Sequence, residues 1–149
     1  MPNTIGYLIT WTTYGSWLQG DKRGYVRDGV IYSGNTALQQ FNQRSQKQHA
    51  VSLTKEQQQI VHKAIIKESE SRGQEIYAIS VQSNHIHLVV GYIPEPIHKL
   101  VAYYKTAARS ALKMQGYEGK LWTRGYDKRF CFDNTSLEQK IRYVRSHIT

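Results

Sequence analysis

Two histidines separated by one residue are the part of this sequence best suited to chemistry. His85 and His87 lie in the segment NHIHLVV, residues 84–90, which continues into an apolar, β-branched run. Residues i and i+2 of a β-strand point to the same face, so the two imidazoles are expected side by side, about 7 Å apart by strand rise. Two parallel imidazoles on a rigid sheet make half of a metal site.

A tyrosine and a third histidine share a predicted face of the C-terminal helix. Tyr143 and His147 are four residues apart, which places them about 6 Å apart along the helix axis. The apolar residues of this helix form a separate packing face: Leu137, Ile141, Val144 and Ile148. A tyrosine hydroxyl and an imidazole are therefore predicted to reach the same region of space.

These four side chains suit metal-assisted attack on a phosphate. The neutral imidazoles of His85, His87 and His147 could hold a divalent cation while leaving coordination positions open. A tyrosine hydroxyl, with a pKa of about 10, is a weak nucleophile, and a nearby cation would favour its phenolate form. Attack of a Tyr143 phenolate on a DNA phosphate would form a covalent phosphotyrosine.

The elements that must position these residues predict an α+β fold with an antiparallel sheet, in one domain of residues 1–149. Strands are predicted over residues 5–12, 75–81, 85–92 and 128–132. Helices are predicted from Thr54 to Gly73, from near Ile97 to a loop at 115–128, and from about Ser136 to His147. Capping boxes are predicted for Thr54 with Gln57, and for Thr135 with Glu138 or Ser136 with Gln139.

Basic residues gather in two places. Lys105, Arg109 and Lys113 follow one another at four-residue spacing along the second helix, and Arg23 and Arg27 lie in a long glycine-punctuated loop. The net charge of +9 favours an anionic partner, of which nucleic acid is the commonest. We expect both groups to contact DNA phosphates. The alternative is a solvated helix face and a purely structural loop.

Several classes of protein are not favoured by the sequence. Cys131 is the single cysteine, so no internal disulfide is expected, and a reducing compartment such as the cytoplasm is the default. Its apolar neighbours predict a buried small hydrophobe rather than a nucleophile. No apolar run is long enough for a transmembrane helix, and the N-terminus does not have the pattern of a signal peptide. No membrane partner is expected.

The two motifs resemble those of the single-tyrosine HUH transposases. This group includes insertion-sequence transposases that act on single-stranded DNA and the REP-associated tyrosine transposases. Residues 84–90 are similar to the family's strand motif, histidine–hydrophobic–histidine with a preceding asparagine. Residues 141–147 (IRYVRSH) are similar to its C-terminal helix, which carries a nucleophilic tyrosine and a polar metal ligand four residues later. The likeness extends over most of residues 5–149.

The resemblance implies a role for each of these residues. His85 and His87 would bind a divalent metal, Mg²⁺ or Mn²⁺, and Tyr143 would be the nucleophile. His147 would be the third ligand, where the family usually has glutamine or asparagine. This departure favours a softer ion such as manganese.

The resemblance also implies a fold, a substrate and an assembly. The fold would be a ferredoxin-like HUH nuclease core, an antiparallel sheet flanked by helices. The substrate would be single-stranded or hairpin DNA, cleaved to a 5′-phosphotyrosine and a free 3′-hydroxyl and rejoined by the reverse step. A homodimer is one assembly that fits, in which Tyr143 serves its own subunit or its partner.

Three other functions stay open at this stage. A non-catalytic, basic nucleic-acid-binding module would use charge and aromatic residues without a metal. A domesticated relative would keep the fold without the activity. A three-histidine zinc hydrolase would use the same imidazoles for a different reaction.

Overall fold

The structure is a computed structural model that describes residues 3–16 and 49–147. Within these residues it contains four strands and three helices. In chain order they are β1 (Gly6–Thr12), α1 (Lys55–Ser71), β2 (Ile76–Val81), β3 (His85–Gly91), α2 (Ile97–Met114), β4 (Asp127–Cys131) and α3 (Asn134–Arg145). The predicted strands are confirmed to within about one residue at each end. The predicted contacts of Arg23 and Arg27 lie outside the described residues.

The four strands form one antiparallel sheet in the order β2-β3-β1-β4. Among the described residues, one helix lies between β1 and β2 and another between β3 and β4, and with this strand order they form the ferredoxin-like arrangement. Helix α3 is an addition at its C-terminal end. The predicted α+β class with an antiparallel sheet is therefore confirmed.

Alternate residues of each strand face opposite sides of the sheet. One face packs against α1 and α2 in the larger apolar core, to which β1 and β3 contribute Tyr7, Ile9, Trp11, Ile86, Leu88 and Val90. The other face packs against α3 in a smaller cluster: Leu8, Ala78, Val89, Cys131, Leu137 and Val144. Cys131 is fully buried, as its apolar neighbours predict. His87 belongs to the set of alternate residues that faces α3.

The two predicted helix starts have different outcomes. Thr54 caps α1 with the predicted capping box, in which its side chain accepts from Gln57 and the Gln57 side chain accepts from the Thr54 backbone. The prediction for α3 is wrong, because the cap is Asp133, whose carboxylate accepts from the Ser136 backbone at 2.7 Å. An earlier residue with the same capping chemistry starts the helix two positions sooner, so Thr135 lies inside the helix.

No helix among the described residues is long and apolar enough to cross a membrane.

Candidate active site

The two histidines of the strand motif lie at the start of β3, on the face that α3 covers. Their ring centroids are 4.8 Å apart, so the prediction that they project side by side is confirmed. In the neighbouring strand β1, His85 pairs with Thr12 and His87 pairs with Thr10. The hydroxyl of Thr10 hydrogen-bonds to Nδ1 of His87 at 2.9 Å. His87 is buried and His85 is half-buried.

The C-terminal end of α3 is attached to β2 through one carbonyl. The backbone oxygen of His147 accepts hydrogen bonds from Ser80 Oγ at 3.3 Å and from Gln82 Nε2. The Gln82 amide also donates to Ser80 Oγ at 2.7 Å, which ties the two donors together. Ser80 is the residue of β2 that pairs with His87. The end of the helix is therefore held directly above the strand that carries the histidine pair.

This attachment brings Tyr143 and His147 onto His87 within one chain. The ring of Tyr143 lies 5.5 Å from that of His87, and the ring of His147 lies 5.1 Å from it, measured between centroids. Tyr143 and His147 are 4.5 Å apart, as their four-residue spacing predicts. Tyr143 remains 48% exposed, so a polymeric substrate can reach its ring from solvent.

Each of the three imidazoles has one ring nitrogen occupied by a hydrogen bond and the other available. Nδ1 of His85 donates to the Asn84 side-chain oxygen at 2.8 Å, and Nδ1 of His147 donates to the Tyr143 carbonyl at 2.7 Å. Both acceptors lack a proton, so the Nε2 atoms carry the lone pairs. The Nδ1 of His87 is engaged by Thr10. Such contacts to the second ring nitrogen orient metal-binding histidines in proteins.

Burial keeps the strand histidines in the neutral form that metal binding requires. The pKa of His87 is lowered to about 4 by burial first, and then by the nearby charges of His85 and His147. The pKa of His85 is lowered by burial and then by His147. At neutral pH, both imidazoles of the strand pair are therefore uncharged.

The chemistry of the donor set fits a divalent cation that accepts nitrogen ligands. Two neutral imidazoles lie on one strand face, and His87 contacts a third, so the chemistry of the donors suits Mn²⁺ better than Mg²⁺. Yet within residues 3–16 and 49–147, no three His, Cys, Asp or Glu side chains are gathered closely enough to hold an ion as they stand. The strand pair is in place, and His147 is beside it without completing a three-ligand cluster.

The predicted basic ridge on α2 is largely occupied by a neighbouring loop. Lys105 Nζ donates to the carbonyls of Thr123 at 3.1 Å and Gly125 at 2.7 Å, and burial lowers its pKa to about 8. Arg109 donates to the Gly119 carbonyl at 3.2 Å. Lys113 is exposed. For Lys105 and Arg109 the structure shows a role in holding the 115–126 loop, and contact with DNA stays a prediction for all three.

The residues that support the histidines are not among those predicted from the sequence. Thr10 and Ser80 are buried polar residues on the sheet face that α3 covers. A buried polar side chain requires a hydrogen-bond partner. That feature would have singled out both. Gln82 follows the end of β2 and has no comparable pattern, since its role depends on where α3 ends.

Comparison with known proteins gives a family match and several solved structures with a similar fold. A family model described as IS200-like transposase matches residues 42–147. No curated protein matches the chain. A solved structure of a REP-associated tyrosine transposase bound to a REP hairpin aligns with a TM-score of 0.60 and 14% identity, covering 97% of this chain and 67% of that one. A crystal structure of a candidate transposase from Deinococcus radiodurans R1 aligns with a TM-score of 0.50 and 17% identity, covering 100% of this chain and 95% of that one.

Proposed function

Because the chain belongs to the IS200-like transposase family, we propose that it is a metal-dependent single-strand DNA transposase or endonuclease with Tyr143 as its nucleophile. The observation that carries this proposal is the position of the Tyr143 ring, 5.5 Å from His87 and 4.5 Å from His147. A half-exposed tyrosine beside neutral imidazoles on a rigid sheet matches what phosphoryl transfer by a side-chain hydroxyl requires.

The proposed reaction exchanges one phosphodiester bond for another. The Tyr143 oxygen attacks the scissile phosphorus, a bond forms between them, and the bond from phosphorus to the 3′-oxygen breaks. The phenolic proton is lost and a proton is gained by the departing 3′-oxygen, so the products are a 5′-phosphotyrosine and a free 3′-hydroxyl. The reverse attack, by a 3′-hydroxyl on the phosphotyrosine, rejoins DNA and restores the tyrosine. Splitting strand transfer into these two steps needs no external energy source.

His85 and His87 would hold the divalent cation, and His147 is proposed as the third ligand. A bound cation would supply Lewis-acid polarisation of the scissile phosphate and favour the phenolate. The chain itself contributes orientation, because Thr10 and Asn84 each contact one ring nitrogen of the strand histidines. The attachment of the His147 carbonyl to β2 keeps Tyr143 over the pair.

Single-stranded or hairpin DNA is the proposed substrate. The similar REP-associated transposase was solved with a REP hairpin, and the net charge of +9 favours a polyanion. Tyr143 lies beside the histidines of its own chain, which supports cleavage in cis. A homodimer remains compatible with this arrangement, and it would not be needed to complete the site.

The direct test is the covalent adduct. Wild-type protein incubated with single-stranded DNA and Mn²⁺ should give a shifted band on a denaturing gel, and Tyr143→Phe should abolish that band while leaving DNA binding nearly unchanged. Tyr92→Phe is a matched control, since Tyr92 is 51% exposed and also loses only a hydroxyl. Adduct formation by Tyr143→Phe at the wild-type level would exclude this nucleophile.

A non-catalytic DNA-binding module is the second candidate. It is favoured by the finding that the described residues hold no preformed three-ligand metal cluster. The two functions separate in the same assay with increasing Mn²⁺. An enzyme would give a covalent adduct whose yield depends on Mn²⁺ and on His85. A non-catalytic module would bind DNA equally with or without metal and would form no adduct.

A further inference from the structure

Four aromatic rings form a continuous row at the β4 side of the sheet. In order they are Phe132, Phe130, Tyr7 and Tyr92, and this set is called the aromatic row below. The centroid distances between successive rings are 6.3, 5.6 and 6.2 Å. Phe130 is the cross-strand partner of Tyr7, so the row crosses from the edge strand onto β1.

Three rings of the row are open to solvent. Phe132 is 47% exposed, Phe130 is 42% exposed and Tyr92 is 51% exposed, whereas Tyr7 is buried beneath them. Large half-exposed rings are costly to leave in water. Singly they need no explanation, but a contiguous group indicates a contact surface.

The aromatic row is separate from the histidine and tyrosine site. Tyr7 belongs to the core on the α1 and α2 side of the sheet, whereas His87 faces α3. Along β1 the row's residue, Tyr7, is three residues from Thr10, the partner of His87, or about 10 Å by strand rise. A ligand on the row therefore does not occupy the proposed catalytic centre.

The charge around the row is positive. The ammonium group of Lys128 lies 5.7 Å from the centre of the Phe130 ring. Lys128 is exposed and shares the row's side of β4, whereas Arg129 faces the opposite side of the sheet and pairs with Asp127 at 3.4 Å. Stacking rings beside cations that can follow a backbone are what proteins use to bind single-stranded nucleic acid without reading its sequence.

We propose that the aromatic row binds unpaired bases of single-stranded DNA, at a surface distinct from the site of cleavage. Bases would stack on Phe130, Phe132 and Tyr92, while Lys128 contacts the phosphates. The row would hold a part of the strand away from the scissile phosphate, so it would contribute affinity and not chemistry. This inference rests on the proposed function only in taking DNA as the ligand.

A second copy of this chain is a less suitable occupant of the row. Two chains that each carry a net charge of +9 repel one another. The strand that carries Phe130, β4, lies at the sheet edge and presents Lys128 on the side of the row. Charged residues on an edge strand oppose pairing with another edge. The same charges attract a polyanion.

The test compares DNA affinity and adduct yield in ring-deleting variants. Phe130→Ser, Phe132→Ser and Tyr92→Ser are each titrated with a fluorescein-labelled oligothymidylate in EDTA, with fluorescence anisotropy as the readout. We expect the dissociation constant to rise about fivefold or more for each variant. Phe130→Tyr, which keeps a ring, should bind as the wild type does. The matched control is Met114→Ser, since Met114 is the most exposed large apolar residue among those described and lies outside the row.

Direct contact is checked by photocrosslinking with an oligonucleotide that contains 5-iododeoxyuridine. Crosslinked peptides should include residues of the aromatic row, and circular dichroism should confirm that the serine variants are folded. Affinities within twofold of wild type for all three folded variants would overturn the proposal. Conversion of a wild-type dimer to a monomer by Phe130→Ser, with unchanged DNA affinity, would also overturn it and assign the row to a subunit interface.

The adduct assay separates this proposal from the proposed function. At saturating DNA, the serine variants should form the covalent adduct at the wild-type yield, because the row does not contact the reacting atoms. If wild-type protein forms no adduct but the serine variants still bind DNA more weakly, the proposed cleavage is wrong and the proposed binding of DNA by the aromatic row is supported.

Discussion

The two faces of the sheet have different roles, although alternate residues of the same strands supply both. One face forms the larger apolar core, and the other carries the candidate active site. In β3, Ile86, Leu88 and Val90 face α1 and α2, where they are fully buried in the larger core. His85 and His87, from the same strand, face α3 beside a half-exposed tyrosine. Along β3, residues that stabilise the fold therefore alternate with residues of the candidate active site. Substitutions at neighbouring positions should therefore separate the two properties.

The two faces also differ in how their helices are attached. Helices α1 and α2 rest on a large apolar core, whereas α3 covers a smaller cluster and is held at its C-terminal end by polar contacts from Ser80 and Gln82. A helix held in this way keeps one side open. That open side is where Tyr143 lies, so access for DNA follows from the thinner packing of this face.

The largest expected effect is on the α3 face, and it is a loss of activity without a loss of stability. His85→Ala should reduce metal-dependent adduct formation by at least about a thousandfold, since losing a residue that only orients a metal ligand already costs about 10–100-fold. The free energy of unfolding in EDTA should change by less than about 1 kcal/mol, because His85 is only half-buried. Gel assays across a Mn²⁺ series and urea unfolding measure the two quantities. Unaltered cleavage would show that the strand pair is structural.

The next effect is on the opposite face, where we expect a loss of stability without a loss of activity. Leu88→Ala removes a fully buried side chain from the larger core and should lower the free energy of unfolding by about 3 kcal/mol. Protein that is still folded at low temperature should form the adduct at the wild-type yield. Leu88→Met, which keeps the volume, is the control and should cost less than about 1.5 kcal/mol. A destabilised His85→Ala beside an unaffected Leu88→Ala would contradict the division between the faces.

A smaller effect should appear as a pH dependence of stability that belongs to the α3 face alone. The pKa of His87 is about 4 in the fold and about 6.5 in the unfolded chain. Between these values the unfolded chain binds a proton that the folded chain does not, so the free energy of unfolding falls as the pH drops through this window. At pH 5, the shifted pKa of His87 lowers the free energy of unfolding by about 1 to 2 kcal/mol relative to pH 7. Urea unfolding in EDTA at pH 7 and pH 5 should show a smaller difference for His87→Gln than for wild type, and an equal difference would count against a neutral buried imidazole.

The smallest effect compares two helix caps. Thr54→Ala and Asp133→Ala each remove a side-chain acceptor at a helix N-terminus and should each lower the free energy of unfolding by about 1 kcal/mol. Only Asp133→Ala should also lower the adduct yield, because α3 carries Tyr143. Equal adduct yields for the two variants would show that the start of α3 does not affect the position of its end.

The parts of the fold set by local pattern could be predicted from the sequence, and the long-range contacts could not. Strand alternation is sufficient to place His85 and His87 on one face, and helical spacing is sufficient to place Tyr143 beside His147. The start of α3 differs from the predicted one because Asp133, Thr135 and Ser136 have similar capping ability and Asp133 is the residue that caps the helix. Local chemistry alone does not rank them.

The contacts that complete the site depend on residues far apart in the chain. Ser80 and Gln82 bind a carbonyl more than sixty residues away, and no periodicity indicates such a pairing. Lys105 has the spacing of a solvated helix face, yet its ammonium group is taken up by carbonyls of a later loop. Helical spacing shows which side of the helix a residue lies on, but it does not show which other part of the chain packs against that side.

Mass-spectrometric mapping of the DNA adduct tests the central claim most directly. Wild-type protein is allowed to react with single-stranded DNA and Mn²⁺, digested with nuclease and protease, and searched for tyrosine peptides that carry a nucleotide. The nucleotide should be attached to Tyr143 through a 5′-phosphate, and the modified peptide should be missing in Tyr143→Phe and in His87→Gln. A nucleotide attached to any other tyrosine would contradict the assignment of Tyr143 beside the histidine pair as the reacting group.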